Sequence, residues 1–191
     1  MKIKIGFFTV LLALTLLLDR SLLSLSAFAA AATHELGHIA MASLCGIRLR
    51  ECNIGLYGAG IVPDGHLYSY GQEIFLCLAG PLVNLFLGSI GLNLIGKYPS
   101  EWLFDFVFAS LTLGLLNLLP IKDFDGGRIL NALLCRLLSP HFAHRILSLL
   151  SFFCIFCLWS LSVYLLLRSA ASLSLFVFSI SLFFRIFLSE D

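Results

Sequence analysis

The sequence predicts an all-α polytopic membrane protein with about six transmembrane helices. Of its 191 residues, 60% are hydrophobic and only 12% are charged, and the mean hydropathy is +1.01. Soluble domains are about half apolar and about a quarter charged, so a water-soluble core cannot hold this composition. Apolar runs also recur along almost the whole chain, and a spanning helix needs roughly 20 such residues.

Six apolar segments are predicted to form the spanning helices, and together they make one membrane-embedded domain over residues 1–191. They cover residues 4–19, 22–46, 72–95, 102–119, 145–167 and 170–188. A Gly-rich, more polar stretch at residues 47–71 predicts a short loop or hairpin between the second and third segments. Pro120 and Pro140 bracket another polar stretch, in which we expect a short helix over residues 128–138.

The distribution of Lys and Arg predicts the orientation, because cytoplasmic loops are enriched in them. With the N-terminus inside, nine of these residues are cytoplasmic and three are external. We therefore expect a multi-pass protein of the cell membrane with both termini in the cytoplasm. The N-terminus imitates a signal peptide, but a cut near Ala29 would remove half of the second segment, so we expect it to be retained.

Charge and cysteine usage exclude two classes of function. The 12 Lys and Arg are scattered singly between apolar runs, so nucleic-acid binding is not expected. The six cysteines lie mostly in apolar stretches without the frame of a small secreted domain, so they predict no disulfide scaffold. Cys154 and Cys157 form a C-x-x-C among aromatic neighbours, which favours packing over a metal or redox role.

The second segment contains the motif that carries chemistry, H-E-x-x-H at residues 34–38. On a helix, His34 and His38 lie on one face and can reach a single ion. Zinc suits two imidazoles and a carboxylate, and Glu35 can accept a proton from water whose pKa zinc lowers to about 7. The alternative is a histidine pair satisfied by hydrogen bonds within a bundle, but ionisable residues in an apolar helix by default mark a functional site.

A third protein ligand is expected, because catalytic zinc sites commonly use three. Asp125 is the best candidate, since Pro120 ends the preceding helix and two glycines after Asp125 let the backbone turn. Rival candidates are Glu73, Asp105, Asp123 and His66. Asp105 and Asp123 are more easily explained as interfacial or solvated charges, and His66 as a surface residue of the polar loop.

Three ordered motifs between residues 34 and 127 resemble those of the site-2 protease family of intramembrane zinc metalloproteases. The first is the H-E-x-x-H. The second, Ala79-Gly80-Pro81-Leu82-Val83-Asn84, is similar to the family's A-G-P-x-x-N, and the third is Asn117-Leu118-Leu119-Pro120 followed by Asp125-Gly126.

The resemblance implies one zinc ion held by His34, His38 and Asp125, with Glu35 as the general base. It implies that the substrate is a membrane-spanning helix of another protein, cleaved after local unwinding. Asn84 and Asn117 are then candidates to bind the substrate backbone or the oxyanion, with helix bridging as the alternative. Residues 55–65 are a candidate strand edge for the unwound substrate.

Within the family, the compact layout resembles the sporulation-associated branch that releases sigma-factor precursors. A C-terminal nucleotide-sensing domain, which relatives of that branch often carry, is not found in these 191 residues. We therefore expect regulation through the membrane core or a membrane-embedded partner. The alternative function is a metal-ion transporter using the same His and Asp residues, which the lack of an internal repeat disfavours.

Overall fold

A computed structural model describes residues 2–5, 22–47, 49–55, 58–63, 69–168 and 173–188 of the chain. Its contacts divide the protein into two compact units, Met1–Asn117 and Leu118–Asp191. Unit 1 contains, in chain order, β1 (Lys2–Ile5), α1 (Leu22–Leu44), β2 (Leu49–Gly55), β3 (Gly58–Pro63), α2 (Tyr70–Ile95) and α3 (Glu101–Asn117). Unit 2 contains α4 (Asp125–Leu137), α5 (Pro140–Arg168) and α6 (Leu173–Leu188).

Each of the five predicted apolar segments after residue 21 contains or overlaps one of these helices, and the predicted short helix is α4. The first predicted segment, residues 4–19, lies outside the described residues except for its start, which belongs to β1. Within the described part of the chain, α2 and α5 are the helices both long enough and apolar enough to cross a membrane.

A small sheet departs from the all-α prediction. β2 and β3 pair antiparallel as a hairpin in the Gly-rich stretch, and β1 pairs parallel with β2 in the order β1-β2-β3. The register places Lys2 opposite Glu51 and Cys52 opposite Ile61. Parallel pairing requires a crossover connection, and α1 lies between β1 and β2 in the sequence.

Helix α2 begins at a capping box. The Ser69 hydroxyl accepts from the Gln72 amide at 3.2 Å, and the Gln72 side chain accepts from the Ser69 amide at 2.9 Å. These two bonds satisfy donors that a helix end otherwise leaves without an intrahelical partner. Pro81 lies in the helix interior, where it contributes no backbone donor.

Glycines bring the three described helices of unit 1 close together. A Cβ on Gly37 of α1 would lie 2.9 Å from the Ala79 carbonyl oxygen of α2. A Cβ on Gly114 of α3 would lie 3.2 Å from the Pro81 carbonyl oxygen, which also belongs to α2. Small residues of this kind allow helix backbones to approach within membranes. The Ser26 hydroxyl of α1 donates to the Trp102 carbonyl of α3 at 3.3 Å. Helix α2 is therefore in close contact with both of its neighbours.

In unit 2, a tight turn leads into α4. The Ser151 hydroxyl of α5 accepts from the Lys122 amide at 2.9 Å and lies 3.4 Å from the Pro120 carbonyl oxygen. A Cβ on Gly126 would meet the Leu118 carbonyl. The first turn of α4 is therefore packed directly on the backbone of the segment that precedes it.

Candidate metal centre

The helical period of α1 brings the two motif histidines together. His34 and His38 are buried, at 5% and 6% exposure, and their Nε2 atoms are 3.1 Å apart. The rings meet edge to face, with centroids 4.8 Å apart. This separation is compatible with two imidazole ligands of one zinc ion, for which Zn–N distances are about 2.0–2.1 Å.

Gly80 of α2 leaves the space in front of these nitrogens open. A Cβ at this position would meet His38 Nε2, and it would lie 2.7 Å from His38 Cε1 and 2.8 Å from His34 Nε2. A methyl group here would therefore occupy the region on which both Nε2 atoms converge. The sequence motif contained this glycine, but its function depends on how α2 packs against α1.

A backbone carbonyl fixes the orientation of His38. Its Nδ1 lies 2.8 Å from the carbonyl oxygen of Leu76, a residue that is 1% exposed. Because a carbonyl only accepts, Nδ1 carries a proton, and in a neutral imidazole Nε2 is then the unprotonated nitrogen. This is the arrangement typical of a metal-binding histidine.

Asn84 lies beside His34 rather than on an open surface. Its side chain is fully buried, its Nδ2 atom is 3.5 Å from His34 Nδ1, and its Oδ1 atom is 3.1 Å from the Thr33 hydroxyl. The sequence pattern had suggested substrate binding or helix bridging for this amide. Thr33 was not singled out, and nothing in its local sequence distinguishes it.

Glu35 follows His34 on α1 and is half-buried, whereas both histidines are buried. A general base must exchange protons with water, so partial exposure suits that role. Asn117, at the end of α3, is also half-buried, and its amide donates to the Leu113 carbonyl at 3.0 Å. That bond uses one of the four hydrogen-bonding positions of the amide group.

In unit 2, Asp125 is the first residue of α4 and is 8% exposed. The positive end of a helix dipole favours a carboxylate in the first turn. Among the acidic residues whose side chains the structure describes, Asp125 is the buried one, whereas the rivals Glu73, Asp105 and Asp123 are half-buried. The rival His66 lies outside the described residues.

Two imidazoles and one carboxylate, all three buried, are donors whose chemistry fits one zinc ion. The residues are His34 and His38 of unit 1 and Asp125 of unit 2. Zinc accepts nitrogen and carboxylate ligands, and catalytic sites with two histidines and one carboxylate are well known.

Known proteins resemble the chain in sequence. The family profile described as Peptidase family M50 matches residues 96–160. Stage IV sporulation protein FB of Bacillus subtilis is 32% identical over 160 residues, which are 78% of this chain and 54% of that protein. Zinc metalloprotease MJ0392 of Methanocaldococcus jannaschii is 32% identical over 116 residues, or 57% of this chain and 33% of that protein. The chain thus spans about half the length, or less, of these curated relatives.

A solved structure supports the fold. The site-2 protease from Methanocaldococcus jannaschii aligns with a TM-score of 0.66 over 95% of this chain and 87% of that chain, at 23% sequence identity. This structural match supports the fold, whereas the profile and the sequence relatives support the family. The profile and the sequence relatives show that the chain belongs to peptidase family M50, the site-2 protease family.

Proposed function

We propose that this protein is an intramembrane zinc metalloendopeptidase. His34, His38 and Asp125 hold the zinc ion, and Glu35 is the general base. The observation that carries the proposal is the convergence of two buried Nε2 atoms, 3.1 Å apart, on the space that Gly80 leaves open. Further support comes from the relatives named as zinc metalloproteases.

The chemistry is the hydrolysis of a peptide bond. When bound, zinc polarises the scissile carbonyl and lowers the pKa of water to about 7. Glu35 accepts a proton from the attacking water as the new carbon–oxygen bond forms. It then delivers that proton to the departing nitrogen as the carbon–nitrogen bond breaks. Partial exposure of Glu35 allows both transfers.

The reaction takes place within a multi-pass protein whose termini are both cytoplasmic. The apolar helices α2 and α5 support the membrane location. Large side chains of α2 point outwards, with Phe75, Leu82 and Phe86 exposed at 61%, 54% and 66%. A surface of this kind is unfavourable in water and suits a lipid environment. The nine-to-three distribution of Lys and Arg supports the orientation.

The substrate is the transmembrane segment of another protein, and a sigma-factor precursor or an anti-sigma factor is the specific candidate. The relative named Stage IV sporulation protein FB supports a role in sporulation. Asn117 is proposed to bind the substrate backbone or the oxyanion, with its remaining donor and acceptor positions. A membrane-embedded regulator is the proposed partner.

Strand β3 is proposed to pair with the unwound substrate. The sheet order β1-β2-β3 makes β3 an edge strand of the described sheet. When an extended peptide adds to a sheet edge, its backbone donors and acceptors form hydrogen bonds with the edge strand. The hydrocarbon core of a membrane offers no such partners. The pairing would therefore stabilise the extended form that hydrolysis requires.

The test is co-expression with a tagged panel of single-span proteins, including sigma-factor precursors and anti-sigma factors. Wild type, Glu35→Gln and the control Glu73→Gln are compared for fragments and for zinc content after purification. We expect zinc in all three proteins and a fragment with wild type and Glu73→Gln alone. Zinc without cleavage by any protein would favour the transporter alternative, and no zinc in wild type would refute the assignment.

A further inference from the structure

Asn84 is a fully buried amide in the apolar helix α2, where its hydrogen-bonding groups require partners. Two polar groups of α1 lie next to it. The Thr33 hydroxyl is 3.1 Å from one end of the amide, and His34 Nδ1 is 3.5 Å from the other. The direction of each hydrogen bond decides what the amide does to the histidine.

The Thr33 hydroxyl determines how the amide is oriented. Its oxygen lies 2.9 Å from the Ala30 carbonyl, which only accepts, so the single hydroxyl proton is directed there. The Thr33 oxygen then offers lone pairs to Asn84, and the group facing it must be the donating NH₂. Amide oxygen and nitrogen positions are assigned from such networks, and exchanging them is a rotation of about 180°.

This orientation turns the Asn84 carbonyl oxygen towards His34 Nδ1. An oxygen at that position accepts the Nδ1 proton, which leaves His34 Nε2 unprotonated. His38 has the same tautomer, because Leu76 accepts its Nδ1 proton at 2.8 Å. Two unprotonated Nε2 atoms 3.1 Å apart both offer a lone pair, so they are placed to share one cation.

We propose that Asn84, oriented by Thr33, is a positioning residue that accepts the Nδ1 proton of His34 and so holds Nε2 ready for zinc. The inference rests on the proposed role of His34 as a ligand. It gives the buried amide a function in metal binding instead of direct contact with substrate. Outer hydrogen-bond partners of this kind fix both the tautomer and the ring orientation of a ligand.

The test compares zinc affinity in purified full-length protein, measured by competition with a chelator. Asn84→Leu removes the acceptor at similar size and is expected to weaken binding roughly 10–100-fold. Asn84→Asp keeps an acceptor and is expected to stay within about threefold of wild type, since carboxylates also serve as outer partners of zinc-binding histidines. The control is Asn93→Leu, because Asn93 is exposed on the same helix and donates to the Ser89 carbonyl at 2.9 Å.

A spectroscopic measurement separates positioning from a merely structural effect. The visible absorption of the Co²⁺-loaded protein reports ligand geometry, and we expect it to change in Asn84→Leu and to be retained in Asn84→Asp. Histidine ¹⁵N NMR of the metal-free wild type needs no substitution at position 84. It should show His34 protonated at Nδ1, with the resonance identified by its loss in His34→Gln.

The outcomes are distinguishable from failure of the proposed function. Wild type that binds no zinc would refute both proposals. Wild-type zinc affinity in a folded Asn84→Leu would overturn this inference alone, as would equal losses in Asn84→Leu and Asn84→Asp. If Asn84→Leu does not fold, an Nε2-protonated His34 in the metal-free wild type overturns the inference.

Discussion

Replacing Gly80 by alanine is expected to weaken zinc binding by displacing both histidines. The new Cβ would lie 2.7 Å from His38 Cε1 and 2.8 Å from His34 Nε2, whereas ordinary contact begins at 3.4 Å. The rings or the helix must therefore retreat by at least about 0.7 Å, and by more at His38 Nε2, the atom closest to the added Cβ. Metal–ligand distances in functional sites hold to within about 0.2 Å, so this displacement is more than about three times the tolerated change.

The size of the effect follows from that displacement. Misplacing a reacting group by about 1 Å costs on the order of 100-fold in rate, and we expect a loss of that order in cleavage by Gly80→Ala. Zinc affinity should fall by about 10-fold or more. Overpacking costs roughly 1–3 kcal/mol of folding stability, partly offset by the roughly 0.5–1 kcal/mol that alanine gains over glycine within a helix.

The assay combines chelator competition for zinc with substrate cleavage in detergent or in co-expressing cells. Gly71→Ala is the matched control, because Gly71 lies on the same helix and, among the described residues, its added Cβ would meet only the Ser69 hydroxyl, at 3.7 Å. We expect Gly71→Ala to behave as wild type. A folded Gly80→Ala with wild-type zinc affinity and cleavage would refute the argument that this glycine keeps the space for the metal open.

Three further predictions follow from the same structure. Glu35→Gln should keep one zinc ion per chain and lose about 10²–10⁴-fold in cleavage, because the amide cannot accept the proton; unchanged cleavage would exclude a general-base role. Ser151→Ala should lower the free energy of unfolding by about 1–3 kcal/mol, since it removes the acceptor of the buried turn before α4. The exposed Ser160→Ala on the same helix should have little effect, and equal denaturation midpoints for the two variants would contradict the prediction. Proline at Gly60 or at Ile61 removes one backbone donor from β3, and successive donors of a strand point to opposite sides. The donor that points away from β2 is the one that can bind a substrate strand, so one of the two variants should lose cleavage while it retains zinc. Full cleavage by both variants would argue against strand pairing.

The helices were predictable because their signals are local. Apolar runs set the extents of α1, α2 and α3, and Pro120 ends the run that precedes α4. Helix α5 begins at Pro140, five residues before the predicted segment, because proline is favoured in the first turn and the polar residues that follow it are compatible with a helix. Its early start shows that hydrophobicity locates a membrane segment better than it locates a helix end.

The sheet was less predictable because its pairing is not local. Residues 2–5 alternate Lys and Ile, as a strand does, but four residues are too few to distinguish a strand from the start of an apolar segment. The partner of β1 is β2, more than 40 residues away, and the pairing is parallel. Nothing in either segment alone specifies that partner.

The same distinction applies to the metal centre. The spacing of His34 and His38 predicted a shared face of α1, because that geometry depends only on the helical period. Their partners on α2 depend on the crossing of two helices, which Gly37 sets by allowing the backbone of α1 to lie against Ala79. That close approach places Gly80 at the Nε2 atoms and Asn84 at His34 Nδ1, one turn apart on the same side of α2. A side chain at Gly37 would separate the helices and disturb both contacts at once, so the small residues of this interface determine the chemistry of the site through the packing of its helices.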